Sequence, residues 1–311
     1  MAFDLKEINL RASADPGGFA LECEADYTKR LAGAAGEICG HMAVSPIVLM
    51  SGPSGSGKTT TAKKLCDELL KRGVKSHTVS FDNYYIAFAP EDAPRSADGN
   101  LDYESPQCLD LPLLNEHFSV LSRGEEIVVP HFSFQTKSRR TDKEKPLRLG
   151  KDEVAIFEGI HAFNDIITDA HPEAFKFYIS ARSDIQSGGA VCFKGTWIRL
   201  MRRTVRDDLF RATDALGTLG MWANVRRGEK KYISPNKHKA NILFDSSMPY
   251  EVPVLKRHAV SVFEKVPDGT ERFEELKQIL PALQKFSGLD SEFVPPDSIL
   301  REFIDGGKYK Y

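Results

Sequence analysis

The chain has 311 residues and carries 42 Lys and Arg against 44 Asp and Glu, a formal net charge of −2. This balance gives no reason to expect nucleic acid or an anionic membrane as a partner. Its apolar runs are far shorter than the roughly 20 residues of a membrane span, and the N-terminal stretch MAFDLKEINL is too acidic for a secretory signal. The five cysteines are scattered, without a CxxC pair. We therefore expect a reduced, cytoplasmic protein.

Short apolar runs alternate with helical patterns through the middle of the chain. The run PIVLM (46–50) has the character of a buried strand, and residues 58–72 carry apolar side chains at helical spacing before Gly73. The stretch LDLPLLNEHFSVLSRG predicts another helix, with Asp110 as N-cap and Gly124 just after its end. Further strands are predicted for KSHTVSFD, EEIVVP, EVAIFEG, FKFYISA and ANILFDS. This alternation predicts an α/β fold, a doubly wound parallel sheet with helices on both faces.

Other segments fall outside this alternation. Residues 1–45 predict a helical N-terminal lead-in, and residues 251–311 predict a helical C-terminal extension of the main domain at 46–250. Residues 86–108 and 131–149 are polar and contain Pro or Arg, so they predict long loops or a small excursion. Loops of this length in a compact domain are more often functional than idle.

The stretch SGPSGSGKTT (51–60) satisfies the pattern G-x-x-x-x-G-K-[ST] between a predicted strand and a predicted helix. Its glycines let backbone N–H groups point at phosphate oxygens, and the helix N-terminus adds a positive dipole end. In such a loop the lysine reaches the β- and γ-phosphates and the next hydroxyl binds Mg²⁺. We therefore expect a nucleoside triphosphate with magnesium, bound by Gly52, Ser54, Gly55, Ser56, Gly57, Lys58, Thr59 and Thr60.

Many unrelated proteins bind nucleotides in this way, so the reaction class must come from other segments. A GTPase normally carries N-K-x-D, and the nearest match, NKHK (236–239), lacks the aspartate. The stretch QSGGA (186–190) is too poor a match to the signature of ABC-type ATPases. A small-molecule kinase instead needs an acceptor site with a general base beside the phosphate loop.

Two carboxylates follow predicted strands on the side where such a site lies. Ligands of open α/β sheets bind beyond the carboxyl ends of the strands, where the sequence has Asp82 after one strand and Glu158 at the end of another. Asp82 can accept a proton from an acceptor hydroxyl, and Asp82, Glu158 and Thr59 can hold magnesium or its waters. The alternatives are a turn or capping aspartate and a solvated glutamate at the strand end.

The stretch RLMRRTVRDDLFR places four arginines at positions i, i+3, i+4 and i+7, on one helix face (Arg199, Arg202, Arg203 and Arg206). Like charges so spaced destabilise an isolated helix unless anions neutralise them. Phosphate or carboxylate groups can do so, and the alternative is a solvated basic face partly paired with Asp207 and Asp208.

These segments resemble the uridine kinase and phosphoribulokinase family of P-loop kinases over about residues 46–250. SGPSGSGKTT is similar to the phosphate loop of the family, SFDNYY to its S-x-D-x-(F/Y)-Y segment, IFEGIHAF to its F-E-G-I motif and RLMRRTVRDDLFR to its R-L-x-R-R-x-x-R-D signature. The resemblance implies that Asp82 is the catalytic base and Glu158 the acid on the magnesium side. In NLDYESPQCLD it implies that Asp102 binds ribose hydroxyls.

The resemblance also implies a P-loop NTPase-type fold with a lid at about residues 199–235. Arg203 and Arg206 would act with Lys58 on the transferred phosphoryl group, and Arg211 would contact ATP. The acceptor would contact Asp82, Tyr84, Asp102, Phe132, Lys137, Arg139 and Arg203.

The departures from the family fall in the segment VPHFSFQTKSR, which resembles the one that closes over the nucleobase. In register with Arg139, the family's tyrosine position is Phe132 and its histidine position is Lys137. Because a site built on hydrogen bonds discriminates through them, the reaction type carries over better than the acceptor. The tail SILREFIDGG resembles that of bacterial uridine-kinase-like proteins, in which a tRNA-synthetase-like region often precedes the kinase; the short lead-in implies that this region is largely absent here.

The sequence thus predicts a kinase that transfers the γ-phosphoryl group of ATP, with Mg²⁺, to a hydroxyl of a small acceptor, in the first instance a nucleoside. The alternatives are a kinase of a sugar phosphate or polyol, and a nucleotide-binding regulatory protein without kinase activity. Nothing in the sequence decides the oligomeric state, and a homo-oligomer is left open.

Overall fold

The computed structural model describes residues 2–88, 92–95, 99, 101–102, 104–270 and 273–309. In chain order its first elements are β1 (Ala2–Asp4), α1 (Leu5–Ala14), α2 (Pro16–His41), β2 (Ile47–Ser51), α3 (Lys58–Leu70), β3 (Lys75–Ser80), α4 (Leu111–Ser122), β4 (Ile127–Val129), β5 (Phe132–Ser133), β6 (Ser138–Arg139), β7 (Lys145–Leu147) and β8 (Glu153–Glu158). They are followed by α5 (Asp165–Thr168), β9 (Phe175–Ser180), β10 (Asp184–Ser187), β11 (Ala190–Phe193), α6 (Gly195–Phe210), α7 (Ala215–Gly228), β12 (Ile242–Asp245), α8 (Glu251–Phe263), α9 (Phe273–Gln284) and α10 (Arg301–Ile304).

A five-stranded parallel sheet lies at the centre, with strand order β12-β9-β2-β8-β3. Alternate residues of its strands point to opposite faces, so that Val48 and Met50 belong to one buried cluster while Ile47 and Leu49 belong to another. The first cluster includes α1, α2, α3, α6 and α8, and the second includes α4 and α5. The predicted doubly wound parallel sheet with helices on both faces is therefore confirmed.

One predicted strand lies outside this sheet. EEIVVP contributes β4, which pairs antiparallel with β7 in a separate two-stranded ribbon. The region 131–149, predicted as a long loop or excursion, contains the hairpin β5–β6 and the strand β7. Of the other predicted loop, 86–108, residues 89–91, 96–98, 100 and 103 lie outside the described part of the chain. The helix at LDLPLLNEHFSVLSRG is confirmed as α4, where Asp110 accepts a hydrogen bond from the Leu113 amide.

Both ends of the chain pack against the central domain. The predicted lead-in contains α1 and α2, and α2 contributes Tyr27 and Leu31 to the same buried cluster as the sheet. From the C-terminal segment, Ile299, Leu300 and Phe303 are fully buried in that cluster. The domain boundaries near 45 and 250 and the lid at 199–235 stay predictions. No helix within the described ranges is both long enough and apolar enough to cross a membrane.

Candidate active site

The phosphate loop joins β2 to α3, which is the context that its motif predicts. β2 is buried along its whole length, and α3 begins at Lys58 with Gly57 as N-cap. A Cβ atom at Gly52 would collide with a carbonyl oxygen of β9, and one at Gly55 would lie 2.8 Å from a carbonyl oxygen of α6. Gly55 and Gly57 also have positive φ angles of 74° and 81°. These glycines therefore permit the tight backbone that a phosphate cradle needs.

Two arginines of α6 bind the carbonyl groups of this loop. Arg199 donates to the Ser54 carbonyl at 3.3 Å, and Arg202 donates to the Gly55 carbonyl at 3.1 Å. The hydroxyl of Ser246, which follows β12, donates to the next carbonyl of the loop at 2.7 Å. These bonds hold the carbonyl groups of the loop to α6 and to the residue after β12, and this fixes the backbone whose N–H groups a phosphate cradle uses.

These two arginines do not belong to a solvated basic face. Arg199 is 2% exposed and pairs with Glu229 at 2.9 Å. Arg202 is fully buried and pairs with Glu251 at 2.6 Å. The alternative of a solvated basic face is therefore wrong for Arg199 and Arg202. Buried carboxylates from two other segments of the chain neutralise the charges of these two arginines.

The remaining arginines surround one buried carboxylate, Asp207. It lies 3.3 Å from Arg203 Nε, 2.9 Å from Arg206 Nη2 and 3.7 Å from Arg211 Nε. Arg203 also donates to the Ser54 hydroxyl of the phosphate loop at 2.8 Å. Three arginines therefore gather beside the phosphate loop, with Glu302 as a second carboxylate 3.9 Å from Arg206, and guanidinium groups so placed can contact phosphate oxygens.

Lys58 lies among carboxylates at the mouth of the loop. Its ammonium donates to the carbonyl oxygens of Gly52 at 2.8 Å and Pro53 at 3.3 Å. Burial lowers the pKa of Lys58, and the charges of Glu158 and Asp82 oppose this shift. The lysine and two of the predicted acids are therefore close enough to interact electrostatically.

Glu158 and Asp82 come together because their strands are neighbours. β3 and β8 are paired with Ser80 opposite Glu158, and Asp82 follows β3 in a short turn at Phe81–Tyr84. Burial raises the pKa of Glu158 to about 7, with Lys58 opposing and Asp82 adding to the shift. Desolvation by the surrounding protein also raises the pKa of Asp82, although the residue keeps an exposed surface, and Lys58 and Arg211 oppose this shift. An acid with a raised pKa beside a phosphate loop is suited to proton transfer.

The donor set at this point fits magnesium. The Thr59 hydroxyl and the carboxylates of Glu158 and Asp82 are hard oxygen donors, and Glu158 ends a strand beside the loop. The described residues contain no group of three or more His, Cys, Asp and Glu side chains arranged to hold a metal ion. Magnesium usually keeps several waters and binds through one or two carboxylates and substrate phosphates.

A second acidic group lies on the acceptor side of the loop. Asp102 is 8% exposed, and the hydroxyl of Tyr232 donates to its Oδ2 at 2.8 Å. Glu104 interacts electrostatically with Arg203, Lys58, Asp102 and Asp82, and burial raises its pKa. Asp82, Asp102 and Glu104 thus form an acidic cluster beside Lys58.

The predicted base-closing segment supplies aromatic side chains. The ring of Phe132 lies 5.7 Å from Tyr85 and 5.2 Å from Phe134. Tyr84, which the resemblance assigns to the acceptor, is instead fully buried, and its hydroxyl bonds Nδ1 of His117 at 2.8 Å. The structure therefore brings Tyr85, and not Tyr84, to Phe132.

The two basic residues of this segment differ in their surroundings. Arg139 donates to Oδ2 of Asp110 at 2.8 Å, so it ties the hairpin β5–β6 to the N-cap of α4. Lys137 is exposed in the turn of that hairpin with a positive φ of 50°. A contact of either residue with an acceptor stays a prediction.

The C-terminal segment reaches the nucleotide side of the loop. Thr60 donates a hydrogen bond of 2.5 Å to Glu302, and Arg206 lies 3.9 Å from the other oxygen of this carboxylate. Ile299 packs against Gly57.

Four residues of the site are not assigned by the sequence motifs. Glu104, His161 and Glu302 lie inside the stretches NLDYESPQCLD, IFEGIHAF and SILREFIDGG, but no spacing marks them as site positions, and Tyr232 lies outside every motif. Tyr232 lies in a π-helical turn, Glu229–Ile233, that no local pattern predicts. A carboxylate or tyrosine far along the chain is recognisable as part of a site only when the fold brings it there.

Comparison with known proteins gives a consistent result. The model of the phosphoribulokinase and uridine kinase family matches residues 47–252. Uridine kinase of Halobacterium salinarum is 25% identical over 195 residues, 62% of this chain and 77% of its own. Uridine kinase of Saccharomyces cerevisiae is 28% identical over 202 residues, 64% of this chain but only 36% of its own. A solved structure from Bacillus stearothermophilus, described as a possible uridine kinase, aligns with 64% of this chain and 88% of its own at TM-score 0.43 and 16% identity.

The family match covers 206 of the 311 residues, counted from 47 to 252. It contains the phosphate loop, both strand-end carboxylates and all arginines of the α6 stripe. The chain therefore belongs to the phosphoribulokinase and uridine kinase family, as its motifs predict.

Proposed function

We propose that this protein is an ATP-dependent kinase that phosphorylates a hydroxyl group of a nucleoside. The observation that carries the proposal is that Asp82 lies close enough to Lys58 of the phosphate loop to interact with it, and that Glu104 interacts with Lys58, Asp82 and Asp102. A phosphate-binding loop alone supports only nucleotide binding. Carboxylates beside it provide the groups that an acceptor hydroxyl requires.

In this reaction Asp82 orients the acceptor hydroxyl and takes its proton, which a carboxylate with a raised pKa does effectively. Asp102 holds neighbouring hydroxyls of the acceptor. Lys58, Arg203 and Arg206 stabilise the charge of the transferred group. Positioning and electrostatics supply most of the rate enhancement in phosphoryl transfer, and little covalent chemistry is required.

Thr59, Glu158 and Asp82 would hold the magnesium ion directly or through its waters. Bound there with ATP, the ion neutralises phosphate charge. The remaining nucleotide contacts would come from the N–H groups of the loop and from Arg211.

The charge of the acceptor side supports a nucleoside over a sugar phosphate. Asp82, Asp102 and Glu104 place carboxylates on the acceptor side, and the cations beside them, Lys58 and Arg203, are assigned to the transferred phosphoryl group, which disfavours an acceptor that carries its own phosphate. The rings of Tyr85, Phe132 and Phe134 offer surfaces on which a nucleobase can stack. We expect the enzyme to act in the cytoplasm, without nucleic acid or membrane.

An ATP-consumption screen of the purified protein over nucleosides, sugar phosphates and polyols tests the proposal. We expect ribonucleosides to be phosphorylated with the highest kcat/KM. A sugar phosphate as the best acceptor would refute the argument from charge, and a chain that binds ATP without turning over any acceptor would support a regulatory protein.

A further inference from the structure

His161 has a buried imidazole ring, and the reaction proposed above assigns no role to it. It is 2% exposed, and among the residues that the structure describes neither ring nitrogen makes a hydrogen bond of normal geometry, although the backbone of Glu104 lies close enough to interact with the ring. Burial lowers its pKa to about 4, so the ring is neutral at neutral pH. A buried polar group without a partner costs folding free energy, and such groups are rare in native proteins. A ligand that supplies the partner is one explanation of why such a residue persists.

The surroundings of His161 belong to the acceptor side of the site. Its ring packs edge-on against Tyr232, with 6.0 Å between the ring centroids. The hydroxyl of that tyrosine donates to Asp102. Asp102 and Lys58 are both close enough to influence the charge of the imidazole. His161 is therefore placed near the carboxylate proposed to hold acceptor hydroxyls and near the lysine of the phosphate loop.

The chemistry of these groups is complementary. A carboxylate only accepts hydrogen bonds, whereas a hydroxyl group both donates and accepts. An acceptor hydroxyl that donates to Asp102 still has lone pairs that need a donor. A neutral imidazole offers one N–H donor and one acceptor nitrogen, so it can complete the hydrogen bonding of a hydroxyl pair. Tyr232 occupies only part of the capacity of Asp102, because a carboxylate has about four acceptor positions.

We propose that His161 is a specificity residue for the acceptor: it hydrogen-bonds the ribose hydroxyl pair that Asp102 binds, and it thereby selects ribonucleosides over 2′-deoxyribonucleosides. The inference rests on the proposed function, since it needs a nucleoside acceptor. Shielding from water makes a hydrogen bond at this position more discriminating than one at an exposed site.

His161→Leu is the decisive variant, because leucine is of similar volume and has no polar atom. We expect kcat/KM for uridine to fall about ten-fold, with kcat/KM for 2′-deoxyuridine and KM for ATP nearly unchanged. The melting temperature without ligand should stay equal or rise, because the variant removes a buried polar group that makes no hydrogen bond of normal geometry with the described residues. A histidine with only a structural role would instead lower the melting temperature on substitution and leave the preference for ribonucleosides unchanged.

Two further variants and one control sharpen the test. His161→Asn places an amide near the position of Nδ1 and His161→Gln near that of Nε2, so the one that restores the preference for ribose identifies the nitrogen that binds. The matched control is His117→Leu, since His117 is 7% exposed and has a partner in the Tyr84 hydroxyl. This control should lower the melting temperature and leave the ratio of ribonucleoside to deoxyribonucleoside activity unchanged.

The outcomes separate the inference from the proposed function. If the wild-type protein phosphorylates ribonucleosides and His161→Leu keeps the wild-type ratio, the inference is overturned and the proposed function stands. If the wild-type protein phosphorylates no nucleoside, the proposed function is overturned and the inference with it. If His161→Leu does not fold, the inference rests on the asparagine and glutamine variants, and an unchanged ratio in both overturns it.

Discussion

Replacing Glu251 by glutamine should destabilise the protein strongly, because it leaves Arg202 as an unpaired charge in the interior. Both side chains are fully buried, and Nε of Arg202 lies 2.6 Å from Oε2 of Glu251. Burial raises the pKa of Glu251, but the guanidinium, which keeps its charge at any working pH, opposes this shift. Glutamine has nearly the same shape but no charge.

The size of the effect follows from the burial of the pair. Removing one partner of a buried ion pair costs about 3–5 kcal/mol. Unfolding entropy is about 2.1 cal/mol/K per residue, so the 311 residues correspond to about 0.65 kcal/mol per degree. The melting temperature should therefore fall by about 5–8 °C. ATP should also bind more weakly, because Arg202 donates to the Gly55 carbonyl of the phosphate loop.

Thermal unfolding followed by circular dichroism, with and without ATP, measures both effects. The control is Asp142→Asn, which breaks an exposed ion pair with Arg140 and should cost less than about 1 kcal/mol. The double variant Arg202→Met with Glu251→Leu should recover much of the lost stability, since it removes both charges together. A decrease for Glu251→Gln no larger than that of the control would refute the argument.

Three further predictions concern the site. Asp82→Asn should keep ATP binding and lower kcat about 10²–10⁴-fold, as loss of a general base does; turnover within a few-fold of wild type would exclude that role. Tyr232→Phe should raise KM for the acceptor about three- to ten-fold and leave KM for ATP unchanged, because Asp102 loses the donor that orients it; equal rises in both constants would contradict this. The pKa of His161 lies at about 4, below its usual value, so wild-type stability is lost as pH falls from about 6.5 towards 4. The free energy of unfolding of His161→Leu, measured by urea unfolding, should therefore rise relative to that of wild type by about 2 kcal/mol between pH 7.5 and pH 5. Parallel curves of unfolding free energy against pH for the two proteins would rule out a neutral buried ring.

Local signals were sufficient for the sheet and for the phosphate loop. The alternation of apolar runs with helical patterns reflects which faces are buried, so it predicted the parallel sheet. The loop needs glycines where its backbone approaches β9 and α6, which leaves a recognisable spacing. Asp82 and Glu158 follow paired strands, so their proximity follows from the topology alone. The strand at EEIVVP was the exception, since it lies outside the central sheet. A short apolar run predicts a strand but does not indicate which other strand it pairs with.

For the arginine stripe, local sequence patterns predicted the helix face but not the partners of the side chains. Helical spacing predicted that Arg199, Arg202, Arg203 and Arg206 share a face, but spacing carries no information on the partners. Arg199 and Arg202 pair with Glu229 and Glu251, which lie 30 and 49 residues further along the chain. These two buried arginines donate hydrogen bonds to carbonyl groups of the phosphate loop, whereas Arg203 and Arg206 lie beside Asp207.

The sequence by itself determined the class of fold, the phosphate loop and the two strand-end carboxylates, because each depends on contacts between near neighbours or on the order of strands. Only the tertiary structure brought Tyr232 to Asp102 across 130 residues, and Glu302 to Thr60 across 242. It also left the imidazole of His161 buried with no hydrogen bond of normal geometry in the described part of the chain. Such contacts depend on how helices and turns pack over the sheet, and packing is a property of the whole chain that no short stretch of sequence encodes.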